Sequence, residues 1–226
     1  MARAGTQITD NTVHPAEEEW GWVGRRLGEE GGCLTFVHGV GVEHLLTAYG
    51  MDVAAATMVT LDQALGRYPE RQAGGEPVPW VRVGVSDDWT FAVEIDSFLG
   101  STSVVGPASE GTRAAVVHWT PKPNHWVAYY EDGTCVIEFE PRMEWSLSGS
   151  DPGRFQPQLR ELGIVEQPPP PPRLPSGKRD IEAIRRQYRD PALQGLSFLT
   201  LAFGIRVPEA TATGPLLTCQ RSANPA

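Results

Sequence analysis

The chain lacks any apolar run approaching the roughly 20 residues a membrane span needs, and residues 1–11 lack the apolar centre of a secretory signal. Both absences predict a cytoplasmic protein with no membrane partner. Cysteine is scarce. Cys33, Cys135 and Cys219 form an odd set without metal-ligand spacing, so neither a disulfide framework nor a structural zinc site is expected. No G-x-S-x-G elbow and no Walker-type phosphate loop occurs. Gly39 and Gly41 stand between a strand pattern and a helix pattern, but the third glycine of a dinucleotide fingerprint is missing, and a turn is the simpler reading. No cofactor is expected. A net charge of -9 opposes attraction to nucleic acid. The basic residues Lys178, Arg179, Arg185, Arg186 and Arg189 are interleaved with Asp180, Glu182 and Asp190, which reads as a solvated helix face.

What the chain does contain is alternation. Its 226 residues are 40% hydrophobic with mean hydropathy -0.27, enough for one ordinary core with tails. Across residues 81–95, Val81, Val83, Val85, Trp89, Phe91, Val93 and Ile95 occupy odd positions, the period of a strand with one buried face. A three-residue loop at Ser86, Asp87 and Asp88 would put Val85 opposite Trp89 and Val83 opposite Phe91, joining both apolar sets. The same reasoning pairs Trp119 with Trp126, Val117 with Ala128, Ala128 with Ile137 and Trp126 with Phe139. Asp132-Gly133 signals a tight turn that pairs Tyr130 with Cys135. One face then carries Val117, Trp119, Trp126, Ala128, Tyr130, Cys135, Ile137 and Phe139 as core. The other carries His118, His125, Glu138 and Glu140 among Val127, Tyr129 and Val136.

Helix signals flank this sheet. Residues 15–27 carry Trp20, Val23 and Leu27 on one stripe, and residues 42–49 carry Val42, Leu45, Leu46 and Tyr49 on another, closed by Gly50. Thr60 and Gln63 have the spacing of a capping box. Residues 33–37 read as a strand, 70–79 as an exposed loop and 101–105 as a short strand. Asp151-Pro152 opens a helix with a distorted first turn that ends at Gly163, and Asp190-Pro191 opens a mostly apolar helix ending at Gly204. Ile181, Ile184 and Tyr188 suggest a short amphipathic helix. The expected organisation is a tail and short helix over 1–30, an α+β core over 31–165, a stiff proline-rich connector over 166–178, C-terminal helices over 179–207 and a flexible tail over 208–226. The expected fold is an antiparallel β-meander of about five or six strands with helices packed on one face.

The order CLTFVHG at 33–39, YG at 49–50, DDWTFAVE at 87–94, FLG at 98–100, FEP at 139–141, SDP at 150–152 and LQGLSFLTLAFGIRV at 193–207 resembles an actinobacterial family of uncharacterised proteins, a domain of unknown function. The resemblance covers most of residues 33–207 apart from the proline connector. Relatives often carry Arg where this chain has His38. The resemblance implies a related fold and no established activity.

Two functional readings follow. Absence of a nucleophile motif, cofactor loop or metal spacing favours a noncatalytic cytoplasmic interaction protein, an immunity or regulatory partner that binds another protein. The alternative is a metal-dependent or acid/base enzyme, because His118, His125, Glu138 and Glu140 would converge on the predicted polar face. His118, His125 and Glu140 would suit a divalent metal, and a His125–Glu140 pair would suit an oriented general base. A polar outer face is also what a half-buried antiparallel sheet normally shows. A third reading is a small-molecule pocket between sheet and helices. Cys33 and Cys135 read as buried thiols. Trp20, Trp22, Trp80 and Trp145, near segment ends, are candidates for a partner-binding rim.

Overall fold

The computed structural model describes residues 14–28, 31–67, 79–121, 124–166, 173–181, 183 and 190–221. The loop expected over 70–79, the six-proline stretch over 167–175 and the basic helix around 184–188 lie wholly or mainly outside these residues.

One open antiparallel sheet organises the chain. Its strands are β1 (Gly32–His38), β2 (Thr57–Val59), β3 (Trp80–Ser86), β4 (Trp89–Ile95), β5 (Arg113–Trp119), β6 (His125–Glu131), β7 (Thr134–Glu140), β8 (Met143–Ser148) and β9 (Leu216–Gln220). They lie in the order β2-β9-β3-β4-β1-β5-β6-β7-β8. The antiparallel α+β expectation holds. The strand number does not: nine among the described residues replace five or six, the additional ones being β2, β8 and β9, of which the short β2 and the C-terminal β9 carry no strong alternation. Residues 209–220, expected as tail, form a helix, α8 (Glu209–Thr213), and β9, which pairs with β2 on one side and β3 on the other.

Helices bury both faces, not one. The first face carries Leu34, Phe36, Phe91, Val93, Val117, Val127, Ile137 and Phe139 and packs on α1 (Pro15–Trp20), α2 (Trp22–Leu27), α4 (Leu61–Arg67), α6 (Gln156–Glu161) and α7 (Pro191–Phe203). The second carries Cys33, Val37, Val81, Val83, Ala92, Val116 and Ala128 under α3 (Val42–Ala48) and α5 (Val105–Ala108). No helix among the described residues is long and apolar enough to cross a membrane.

The registers explain the difference. Ser86 pairs with Trp89 across a two-residue loop, with Asp87 at φ 51, so Val81 and Val83 lie opposite Glu94 and Ala92. The odd residues of β3 and β4 therefore point to opposite faces. Trp119 pairs with His125 and His118 with Trp126, one residue away from the expected pairing. Asp132 and Gly133, at φ 46 and 74, make the predicted turn, and Tyr130 pairs with Cys135 as expected. A bulge at Tyr129/Tyr130 then brings Ile137 opposite Tyr129 and Phe139 opposite Val127.

Local chemistry fixes several elements as read. Thr60 N–H donates to Gln63 Oε1 at 2.9 Å and Gln63 N–H to Thr60 Oγ1 at 3.3 Å, a reciprocal cap for α4. Asp190 accepts from the amides of Ala192 and Leu193 at the start of α7, and Gly204, at φ 70, closes it. Gly195 lets α7 lie against the sheet, since a Cβ there would sit 2.7 Å from a Val127 methyl. The expected strand at 101–105 is instead a π-helical turn, Gly100–Val104, leading into α5. Residues 15–27 form two helices, divided at Gly21.

Candidate functional site

The register disperses the predicted His/Glu cluster. His118 lies on the second face beside Trp126, whereas His125 shares the first face with Trp119. Glu138 pairs with Ala128 on the second face and accepts a 2.9 Å hydrogen bond from Ser148 Oγ. The backbone N–H of Glu140 donates to Ser146 Oγ at 2.8 Å. No group of three or more potential metal ligands forms among the described residues. The expected convergence of His118, His125 and Glu140 therefore does not occur, because a one-residue shift of β6 turns His125 to the other side.

His118 has a different setting. Its Nδ1 is 2.8 Å from Ser101 Oγ, and its ring packs 5.4 Å from Phe98. Burial, with a smaller contribution from His125, pulls the imidazole down to about 4. It stays neutral at physiological pH. Ser101 Oγ also lies 3.1 Å from the Phe98 carbonyl, so the pair fastens the π-helical turn to β5.

Beside it sits a buried carboxylate, on an even position of β4 between Val93 and Ile95. Glu94 is 1% exposed. Its Oε1 accepts from Tyr49 O–H at 2.9 Å and Gly100 N–H at 2.8 Å, and its Oε2 from Ser97 O–H at 2.7 Å and Leu99 N–H at 2.9 Å. Burial raises its pKa while these four donors oppose the rise. A Cβ on Gly100 would run into Thr35 Oγ1, Tyr49 O–H and Glu94, so only glycine lets this turn approach. Cys33, across from both Glu94 and His118, is fully buried, and burial followed by the Glu94 charge holds its thiol protonated. The network has its hydrogen bonds satisfied internally. It is a fastening, and the signal for it was one Glu in the apolar run TFAVEI just before a Ser- and Gly-bearing loop.

A cleft of about 560 Å³ on the first-face side is lined by Val23, Gly24, Trp119, His125, Arg142 and Asp190 among others. Burial lowers the His125 pKa, Asp190 opposes this and Arg142 adds to it.

The outer end of the second face is different again. Trp126, Tyr130, Cys135, Glu138 and Glu140 are half-exposed there. Burial, then Cys135 and Glu138, push the Tyr130 hydroxyl to about 12, and burial with Glu138 raises the Cys135 thiol, which favours the protonated form of both. Next to them runs β8, the last strand of the sheet, where Trp145 is 83% exposed. Of the four tryptophans expected at a rim, Trp20, Trp22 and Trp80 are buried at 1%, 1% and 7%, and only Trp145 faces water.

A sequence profile described as a family of unknown function, DUF6461, matches residues 14–172. No curated protein and no solved structure matches the chain.

Proposed function

Because the chain belongs to DUF6461, a family of unknown function, we propose from its geometry that it is a noncatalytic cytoplasmic interaction protein binding another protein through the outer edge of its sheet, at β8. The observation that carries this reading is Trp145, a large aromatic 83% exposed on an edge strand. Exposed tryptophan is uncommon on a surface that stays in water and is enriched where partners anchor. Such a surface suits an immunity or regulatory partner. The buried titratable groups around Glu94 and His118 serve the fold.

A photo-crosslinking residue placed at 145, compared with one at the exposed Met58 on the opposite edge strand β2, tests it in extract of the native host. The expected result is one adduct at 145 and none at 58. The identified partner, once purified, should bind the wild type stoichiometrically and Trp145→Ala about tenfold or more weakly. Equal adducts at both positions, no adduct at either, or unchanged affinity for Trp145→Ala overturns the reading.

A further inference from the structure

Resting on that reading of the site, we infer that the partner offers an extended, lysine- or arginine-bearing segment that adds as a strand to the open edge of β8. Three features of the edge support this chemistry. Among the described residues β8 has a neighbouring strand on one side only, and an unpaired edge is a template for one more strand. The surface beside it is acidic: Glu138 and Glu140 are half-exposed, and neither forms an ion pair among the described residues. Glu144 on β8 itself is exposed, with one carboxylate oxygen accepting from the Glu166 backbone N–H at 3.1 Å. Trp145 then offers an aromatic face on which a lysine or arginine side chain can lie.

The competing occupants fit less well. A second copy would bring another Glu144 to the same edge in a chain of net charge -9, and like charges across a strand pair are unfavourable. The chain's own Pro168–Pro172 run lacks backbone N–H groups and so cannot donate to a ladder. Residues of opposite charge on an extended partner satisfy both the edge and the glutamates.

The test uses the full chain and three synthetic octapeptides: an alternating lysine–valine peptide, its glutamate–valine counterpart, and a lysine–valine version with proline at two central valines. Affinity is measured by titration calorimetry and the site by backbone amide shifts. The lysine–valine peptide should shift amides of residues 143–148 and bind about tenfold more tightly than either control. Its affinity should fall with added salt and in the Glu138→Gln/Glu140→Gln double variant. Equal affinity for lysine and glutamate peptides, or absence of binding, overturns the basic partner. Equal affinity for the proline peptide, with shifts still centred on Trp145, overturns strand addition but leaves the docking surface standing. Shifts confined to other elements overturn both. A concentration-dependent dimer abolished by Trp145→Ala replaces the basic partner with a second copy.

Discussion

On the first face of the sheet, Phe198 of α7 meets Phe139 and Phe155 edge-on at 5.2 and 5.6 Å, and Phe203 stacks on Tyr129 at 4.0 Å. On the second, α3 and the π-helical turn are drawn down by Tyr49, Ser97, Leu99 and Gly100 donating to the single carboxylate of Glu94. The first face is held by area and shape, which are non-directional and tolerate small adjustments. The second is held by directed bonds whose loss leaves several buried groups without partners. A helix with an apolar stripe can be laid on a sheet by the first means. A short turn of Gly, Ser and Thr has little apolar surface and needs the second.

That contrast can be broken in four places. Phe198→Ala removes a fully buried ring from the aromatic cluster and should lower unfolding free energy by about 4 kcal/mol, measured by urea denaturation. Glu94→Leu keeps much of the volume but strands the four donors; a loss of about 3 kcal/mol is expected, with faster amide exchange confined to residues 97–104. If the whole second face loosens instead, the network holds more than this turn.

The third test is of pH. His118 is pulled down to about 4 from an ordinary 6.5, so between those values the unfolded chain binds more protons than the folded one. Stability from this group therefore rises with pH from about 4 to about 6.5 and is flat above. The wild-type minus His118→Gln difference in unfolding free energy should show that slope. A flat or reversed difference would mean that the imidazole is not held neutral by its surroundings. The raised carboxyl of Glu94 acts in the opposite sense, favouring the fold as pH falls, and the subtraction isolates His118 from it. Smallest of all, Trp145→Ala should shift stability by less than about 0.5 kcal/mol, because the ring is in water. Its effect belongs to binding, and a large change in melting would place Trp145 in the fold.

Features written into neighbouring residues were readable without coordinates. The Thr60/Gln63 cap, the Asp190-Pro191 start with its Gly204 stop, and the Asp132-Gly133 turn each depend on side-chain and backbone chemistry within a few positions. The registers were less accessible. Alternation assigns a register when one face is wet, but here Val81 and Val83 are buried on one side and Phe91 and Val93 on the other. Either hairpin loop satisfies such a pattern. His125 was lost from the expected cluster by that ambiguity, and Glu94 was overlooked because its partners come from the Tyr49 helix end and the loop after β4, a convergence that only the fold creates. Trp145 was named with three others, and only burial by α7, α8 and their neighbours separates it from them.

Strand β9 sits inside the sheet, with Val59 opposite Leu216 and Val81 opposite Cys219. Beneath it the buried guanidinium of Arg82 donates to the carbonyls of Ala212, Gly214 and Val59 at 2.6, 2.7 and 3.2 Å. On the ribosome, β2 thus has to wait for residues 212–220 to be made before it can join its neighbours, and the Arg82 charge waits with it. A nascent chain halted before residue 212 leaves β2 and the outer margin of β3 unpaired and Arg82 without two of its three carbonyl acceptors, so this side of the sheet closes only once residues 212–220 have been made.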